Sequence, residues 1–163
     1  MPSMLYLKLG DDIKGESTDS DHVEWVELSS FGWGVSQPVS QSSGTGGRVA
    51  GGCQFSDFTC TKTVDNASAD IMKFCAAGTH IPMVTIDVVE STGQKHTFIK
   101  YELEDVIISG SSPSGGGGGD KPMESLTLNY GKFRQTYTPL DHQGNPGTPI
   151  TRGWDLETNQ PLA

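Results

Sequence analysis

The feature that most constrains this chain is a two-residue alternation of polarity that recurs in several separate segments. Leu5, Leu7 and Leu9 alternate with Tyr6 and Lys8, and Val84, Ile86 and Val88 alternate with Thr85 and Asp87. Between Lys95 and Ile108, the residues Thr97, Ile99, Tyr101 and Leu103 fall on one face. Between Glu124 and Tyr137, Leu126, Leu128 and Tyr130 do the same. Shorter instances are Val23-Glu24-Trp25 and the pair Phe31 and Trp33. A period of two belongs to strands, because successive side chains leave opposite faces of a pleated backbone. Runs with one apolar and one polar face pack as half-buried antiparallel strands. The chain is 163 residues long, the size of one domain. The expected fold is therefore mainly β and antiparallel, in a single domain over residues 1–163.

One stretch breaks the pattern. Ala67, Ile71, Phe74 and Cys75 recur at helical spacing, Asp65 or Asn66 stands ready as an N-cap, and Gly78 follows where a helix ends. This spacing predicts one short α-helix over about residues 67–77. Two Gly/Ser-rich stretches, Ser40 to Gly52 and Ser109 to Lys121, read as long extended loops that project from the body. The tail after Pro139 holds Pro146, Pro149 and Pro161 and has little periodicity. Ile150, Trp154 and Leu156 are nonetheless costly to leave in water, so Trp154 is expected to dock on its own subunit or on a neighbour.

Charge narrows the partners. Twenty acidic against eleven basic residues give a net charge of −9, which opposes binding to nucleic acid or to an anionic membrane. No run approaches the ~18 apolar residues that cross a bilayer, and Lys8, Asp11, Asp12, Lys14 and Glu16 interrupt the start. Neither a membrane span nor a signal peptide is expected. Cys53, Cys60 and Cys75 are odd in number and lack metal-ligand spacing, so they read as buried reduced thiols.

A search for chemistry returns no convergent set. The stretch from Gly46 imitates a phosphate loop, but Gly52 and Cys53 stand where Lys and a hydroxyl residue are needed. His22, His80, His96 and His142 lie in different segments, without the spacing that presents two imidazoles to one metal, and read as surface or loop residues. The acidic run through Asp11, Asp12, Glu16, Asp19 and Asp21 lacks a calcium-loop register and reads as a solvated rim. Glu102 and Glu104 lie on one strand face and are expected to pair with neighbouring cations. Trp25, Phe31 and Trp33 are expected in the core. No catalytic, cofactor or metal site is expected.

The motifs taken in order carry a resemblance. Leu5-Tyr6-Leu7-Lys8, Ile13-Lys14-Gly15-Glu16-Ser17, Phe31-Gly32-Trp33-Gly34 and Phe58-Thr59-Cys60-Thr61-Lys62 are followed by Gly78-Thr79-His80-Ile81-Pro82. Tyr101-Glu102-Leu103-Glu104, Glu124-Ser125-Leu126-Thr127 and Gly153-Trp154 complete the series. The sequence resembles the haemolysin-coregulated protein (Hcp) family of bacterial type VI secretion systems. The resemblance implies an antiparallel β-barrel, or two packed sheets, in a non-enzymatic subunit that forms homo-hexameric rings stacking into a hollow tube. It further implies a contractile sheath, a tip (spike) protein and effector proteins as partners, with assembly in the cytoplasm and then secretion without a signal peptide. Where the family's aromatic-x-Trp-Gly motif often opens with Trp, this chain has Phe31. The same resemblance puts Ser30 and Gly32 on the lumen wall.

Physics adds a reason to assemble, since edge strands must be paired or covered. A thirteen-residue loop spans up to ~3.3 Å per residue when extended. The loop with Val39, Gln41, Arg48 and Val49 is thus long enough to meet a neighbour. Its one cation, Arg48, has a candidate partner in an acidic rim of Asp11, Asp12, Asp19 and Asp21 on the next ring. The competing readings are a monomeric β-sandwich binding module and a small hydrolase built on Cys75 and His80.

Overall fold

The computed structural model describes residues 3–41, 47–91 and 93–162. Its strands are β1 (Ser3–Leu9), β2 (Val26–Leu28), β3 (Ser30–Gly32), β4 (Val35–Ser36), β5 (Val39–Gln41), β6 (Arg48–Ala50) and β7 (Gln54–Phe55). After β8 (Phe58–Thr63) and helix α1 (Ser68–Ala77) come β9 (His80–Ser91), β10 (Lys95–Ser114), β11 (Met123–Asn129), β12 (Lys132–Tyr137), β13 (Ile150–Asp155) and β14 (Gln160–Leu162).

The alternating runs become the wall of a barrel. Antiparallel neighbours run β2–β1–β9–β10–β11–β8–β3. Only Ser29 separates β2 from β3, and its N–H donates to the Thr61 carbonyl of β8 at 2.7 Å. The stretch 26–32 thus pairs with β1 at one end and β8 at the other, which closes the sheet. Closure leaves no free edge along that circuit. The inward positions supply the core: Leu7, Leu9, Phe58, Val84, Ile86, Leu103, Ile108, Leu126 and Leu128 are almost wholly buried. Each such side chain contributes roughly 1.5–3 kcal/mol of burial.

β10 is twenty residues long because it serves two partners in succession. β12 pairs with it over Ile99–Glu104 and β11 over Ile107–Ser114. Between them Asp105 has φ 53°, and the buried side of the strand passes from Tyr101 and Leu103 to Val106 and Ile108. This change of parity lets β12, β13 and β14 leave the barrel as an extension of the sheet.

Helix α1 lies where its spacing puts it. Ile71 is its wholly buried residue, and Gly78 closes it in the left-handed conformation, φ 64°. The cap differs from expectation: Ala67 holds the N-cap position without a side-chain bond, while the Asp65 carboxylate accepts the Ala67 N–H at 3.0 Å.

Three other expectations are corrected. Val23 and Glu24 form a turn, not a strand, because Glu24 adopts φ 64° and its carbonyl accepts the Gly15 N–H; β2 begins at Val26. The Ser109–Lys121 loop is shorter than expected, since β10 continues to Ser114 by pairing with β11. Within Ser40–Gly52, Val39–Gln41 pairs with Arg48–Ala50 as a two-stranded ribbon; residues 42–46 lie outside the described residues. The tail after Pro139, whose apolar residues are expected to dock, does so as β13 and β14, each hydrogen-bonded to the preceding strand.

Candidate assembly surfaces

Three surfaces differ from an ordinary solvated exterior, and the first is a long arm. Beyond β3 and β8 the same two chain segments stay paired through β4 with β7 and β5 with β6. Ser56 N–H donates to the Gly34 carbonyl and Gly51 N–H to that of Pro38, at 2.9 and 2.8 Å, so the arm is held across its breaks. Val39 is 58% exposed on it and Arg48 is exposed beside it. Gln41 and Val49 are paired through their backbones to Arg48 and Ser40.

A second surface is an open apolar groove of about 570 Å³ where the arm meets the sheet extension. Its floor is Trp33, Phe55, Phe133 and Trp154, and its rim includes Val35, Tyr137 and Ile150. The floor belongs to a contiguous aromatic network: Trp33 lies 4.6 Å from Phe133 and 5.8 Å from Tyr101, and Phe31 stacks on Phe58. Phe31 and Trp33 therefore pack as expected. Trp154 is half-buried, its Nε1 donating to Asn159 Oδ1 at 3.2 Å, so it docks within its own chain.

The third surface is a wall of small uncharged residues on the outer face of β3, β8, β11 and β10. The sheet register aligns Ser30, Thr61, Ser125 and Ser112 in one row, and Gly32, Thr59, Thr127 and Gly110 in the next. Several hydroxyls bond within the wall: Ser30 with Thr61 at 2.5 Å, and Thr59 to the Gly32 carbonyl at 3.1 Å. Both lumen candidates, Ser30 and Gly32, fall in these rows. The other six residues escaped sequence reasoning, although Ser and Thr at every second place of β8 and β11 were the signal.

The acidic segment between β1 and β2 is not uniformly solvated. Asp11, Asp12 and Asp21 are exposed, but Asp19 is not a free rim charge, because its side chain is 5% exposed. Lys95 Nζ donates to its Oδ1, and His22 Nδ1 lies 2.7 Å from its Oδ2. Those two bonds, the lysine's foremost, hold the Asp19 carboxyl down at about 2. A carboxyl with a lowered folded pKa stabilises fully above its ordinary value, 3.8, and loses that contribution as pH falls toward 2. Asp19→Asn is thus expected to flatten the acid limb of the stability curve between about pH 4 and 2, read by denaturant melts; an unchanged limb counts against the pairing.

His22 itself corrects the surface reading of the four histidines, being only 4% exposed. Of the cysteines only Cys60 is buried, and burial pushes its thiol up to about 12; Cys53 and Cys75 are half-buried. His80 Nδ1 meets Asp105 Oδ1 at 2.6 Å on the surface. Glu104 pairs with Arg134 and Lys132 as expected. Among the described residues no group of three or more His, Cys, Asp or Glu side chains converges to hold a metal. No helix among them is long and apolar enough to cross a membrane.

Comparison with known proteins decides the family. Residues 6–137 match the model of "Type VI secretion system effector, Hcp". The chain belongs to the Hcp family. It is 32% identical to Protein hcp1 of Pseudomonas aeruginosa over 158 residues, 95% of this chain and 96% of that protein. A solved type six secretion system protein superposes with a TM-score of 0.93 at 32% identity, covering 99% of this chain and all of the other. Hcp1 from Salmonella typhimurium superposes at 0.81 with 28% identity, covering 99% and 100%. This Hcp chain shares their β architecture through its whole described length.

Proposed function

We propose that this chain is a tube subunit of a type VI secretion system, acting as one unit over residues 1–163. Six copies close a ring, and rings stack into a hollow tube that a contractile sheath expels together with a spike protein and effectors. The observation that carries this reading is the full-length correspondence with a type six secretion system protein. In the ring, the hydroxyl wall faces the lumen, the apolar groove receives the neighbouring copy, and the arm reaches the next ring. An exposed apolar groove on a soluble chain favours a protein partner. The chain works without catalysis, is assembled in the cytoplasm and leaves the cell. Light scattering tests the reading: a ring has six times the 17.4 kDa of one chain and shows a central hole by electron microscopy. A 17.4 kDa species without annular particles favours the monomeric binding module instead.

Stacking must overcome charge. A ring carries 6 × −9 = −54, so two rings repel unless salt or local complementarity intervenes. Arg48 supplies that complementarity by meeting Asp11, Asp12 and Asp21 of the next ring, with Asp19 already engaged at home. Arg48→Glu is expected to leave single rings intact and to reduce tube counts most at low salt. Wild-type tube counts at every salt concentration would overturn this contact.

A further inference from the structure

We propose that His22 is a proton-operated latch, holding the acidic segment 10–25 on the barrel while both ring nitrogens carry hydrogen and releasing it when one is lost. The geometry is unusual because each ring nitrogen faces a different carboxylate. Nδ1 lies 2.7 Å from Asp19 Oδ2, and Nε2 lies 2.8 Å from Asp87 Oδ2. Carboxylates are acceptors only, so both bonds require a hydrogen on each nitrogen. A neutral imidazole has one such hydrogen and would turn a lone pair toward the other carboxylate at under 3 Å. The site gives no room to soften that clash, since the side chains of His22, Asp19 and Asp87 are all under 10% exposed.

The surroundings fix the charge balance. From β1, Tyr6 stacks on the imidazole with centroids 4.2 Å apart, and Trp25 meets it edge-on. From β9 comes Asp87, whose Oδ1 is buried without a hydrogen-bond partner among the described residues. From β10 come Lys95, on Asp19, and Lys100, the register partner of Asp87. Asp21 donates its N–H to Asp19 Oδ2, and Glu27 of β2 stands opposite Tyr6. Burial, then Asp19 and Glu27, raise the Tyr6 phenol above 10, so it stays neutral below pH 9. With imidazolium present, each carboxylate has a cation in direct contact, Lys95 on Asp19 and His22 on both. With neutral imidazole, Asp87 loses the cation that touches it in a nearly closed site, an expensive arrangement.

What the latch holds is the segment itself. The segment is closed by its own bonds, Gly15 N–H to the Glu24 carbonyl and Ser17 N–H to that of Trp25, but His22 ties it to β9 through Asp87. Asp11, Asp12 and Asp21 travel with it.

Amide exchange and imidazole ¹⁵N shifts of the purified chain from pH 5.5 to 8.5 test the latch. Both ring nitrogens are expected to be protonated wherever the segment is closed. As pH rises, protection at Gly15, Ser17, Glu24 and Trp25 is expected to fall by up to about tenfold per pH unit beyond the intrinsic rate, the slope of one proton held in the closed segment and lost on release. The β9 amides hold their protection. Asp87→Asn replaces an acceptor by an amide donor to a neutral Nε2, so its segment is expected to stay protected across the range. A singly protonated ring in the closed segment, or an Asp87→Asn profile matching wild type, overturns the latch. The effect on stacking rests on the tube reading: tube counts should fall with pH in wild type and not in Asp87→Asn. Segment release with unchanged tubes supports the latch and counts against the stacking contact.

Discussion

Lys62→Ala is expected to lower the unfolding free energy by about 3–5 kcal/mol, the cost of breaking a buried ion pair from one side. The Lys62 side chain is wholly buried inside the barrel wall, and its Nζ has four acceptors within 3.1 Å. These are Glu124 Oε2, Asp65 Oδ1, Ser68 Oγ and the Thr63 carbonyl. Glu124 is 2% exposed and also receives the Ser68 hydroxyl at 2.6 Å and the Ser111 hydroxyl at 3.3 Å. Truncating the lysine leaves that carboxylate without a counter-charge and loosens the start of α1, where Asp65 and Ser68 stand. A paired change to Lys62→Met with Glu124→Leu removes both charges and fills their volume. It is expected to recover most of the loss, because the attraction of a buried pair roughly balances its desolvation. Denaturant melts of Lys62→Met, of Glu124→Leu and of the double variant form the cycle. A loss below about 1 kcal/mol in Lys62→Ala would show that water reaches the site.

This pair also marks where sequence reading stops. Lys62 follows Phe58 and Cys60 at inward places of β8, and Glu124 precedes Leu126 and Leu128 at inward places of β11. Alternation alone therefore puts a lysine and a glutamate on apolar faces. That they face each other depends on the register Glu124 to Lys62, which pairing decides and periodicity does not. The same division runs through the fold. Local signals located the helix, with its apolar spacing and Gly78, and the central strands, with their strict alternation. They missed β13 and β14 because an outer strand of mixed polarity is specified by its neighbour's backbone, not by its own pattern. They also missed the strand character of Ser111–Ser114, where small residues carry little propensity but β11 supplies the hydrogen bonds. At the surfaces, the resemblance led to Ser30, and the rows across it became visible only with four strands in register. His22 was invisible for a like reason: Asp87 lies 65 residues away in the chain.

On the proposed ring assembly, Ile150→Arg is expected to give single chains of 17.4 kDa while leaving the fold intact. Ile150 is 52% exposed at the groove rim, beside Val35 at 53% and Tyr137 at 45%, so its loss removes little core packing. The monomer's melting temperature should move by no more than a few degrees, as for other exposed sites. Its loss from an interface is another matter. An arginine there must either stay in water and prop the neighbour away or be buried against Trp33, Phe55 and Phe133 with no carboxylate lining the groove to receive it. Arg152 already lines the same groove and adds like-charge repulsion. If each contact weakens by about 2 kcal/mol, its equilibrium constant falls roughly thirtyfold. A cyclic assembly repeats the defect at all of its interfaces, so the losses compound around the ring. Ile150→Val keeps the apolar rim and should keep the ring. Light scattering at matched concentration decides the matter. A full-sized ring in Ile150→Arg would overturn the proposal that the groove receives the neighbouring copy.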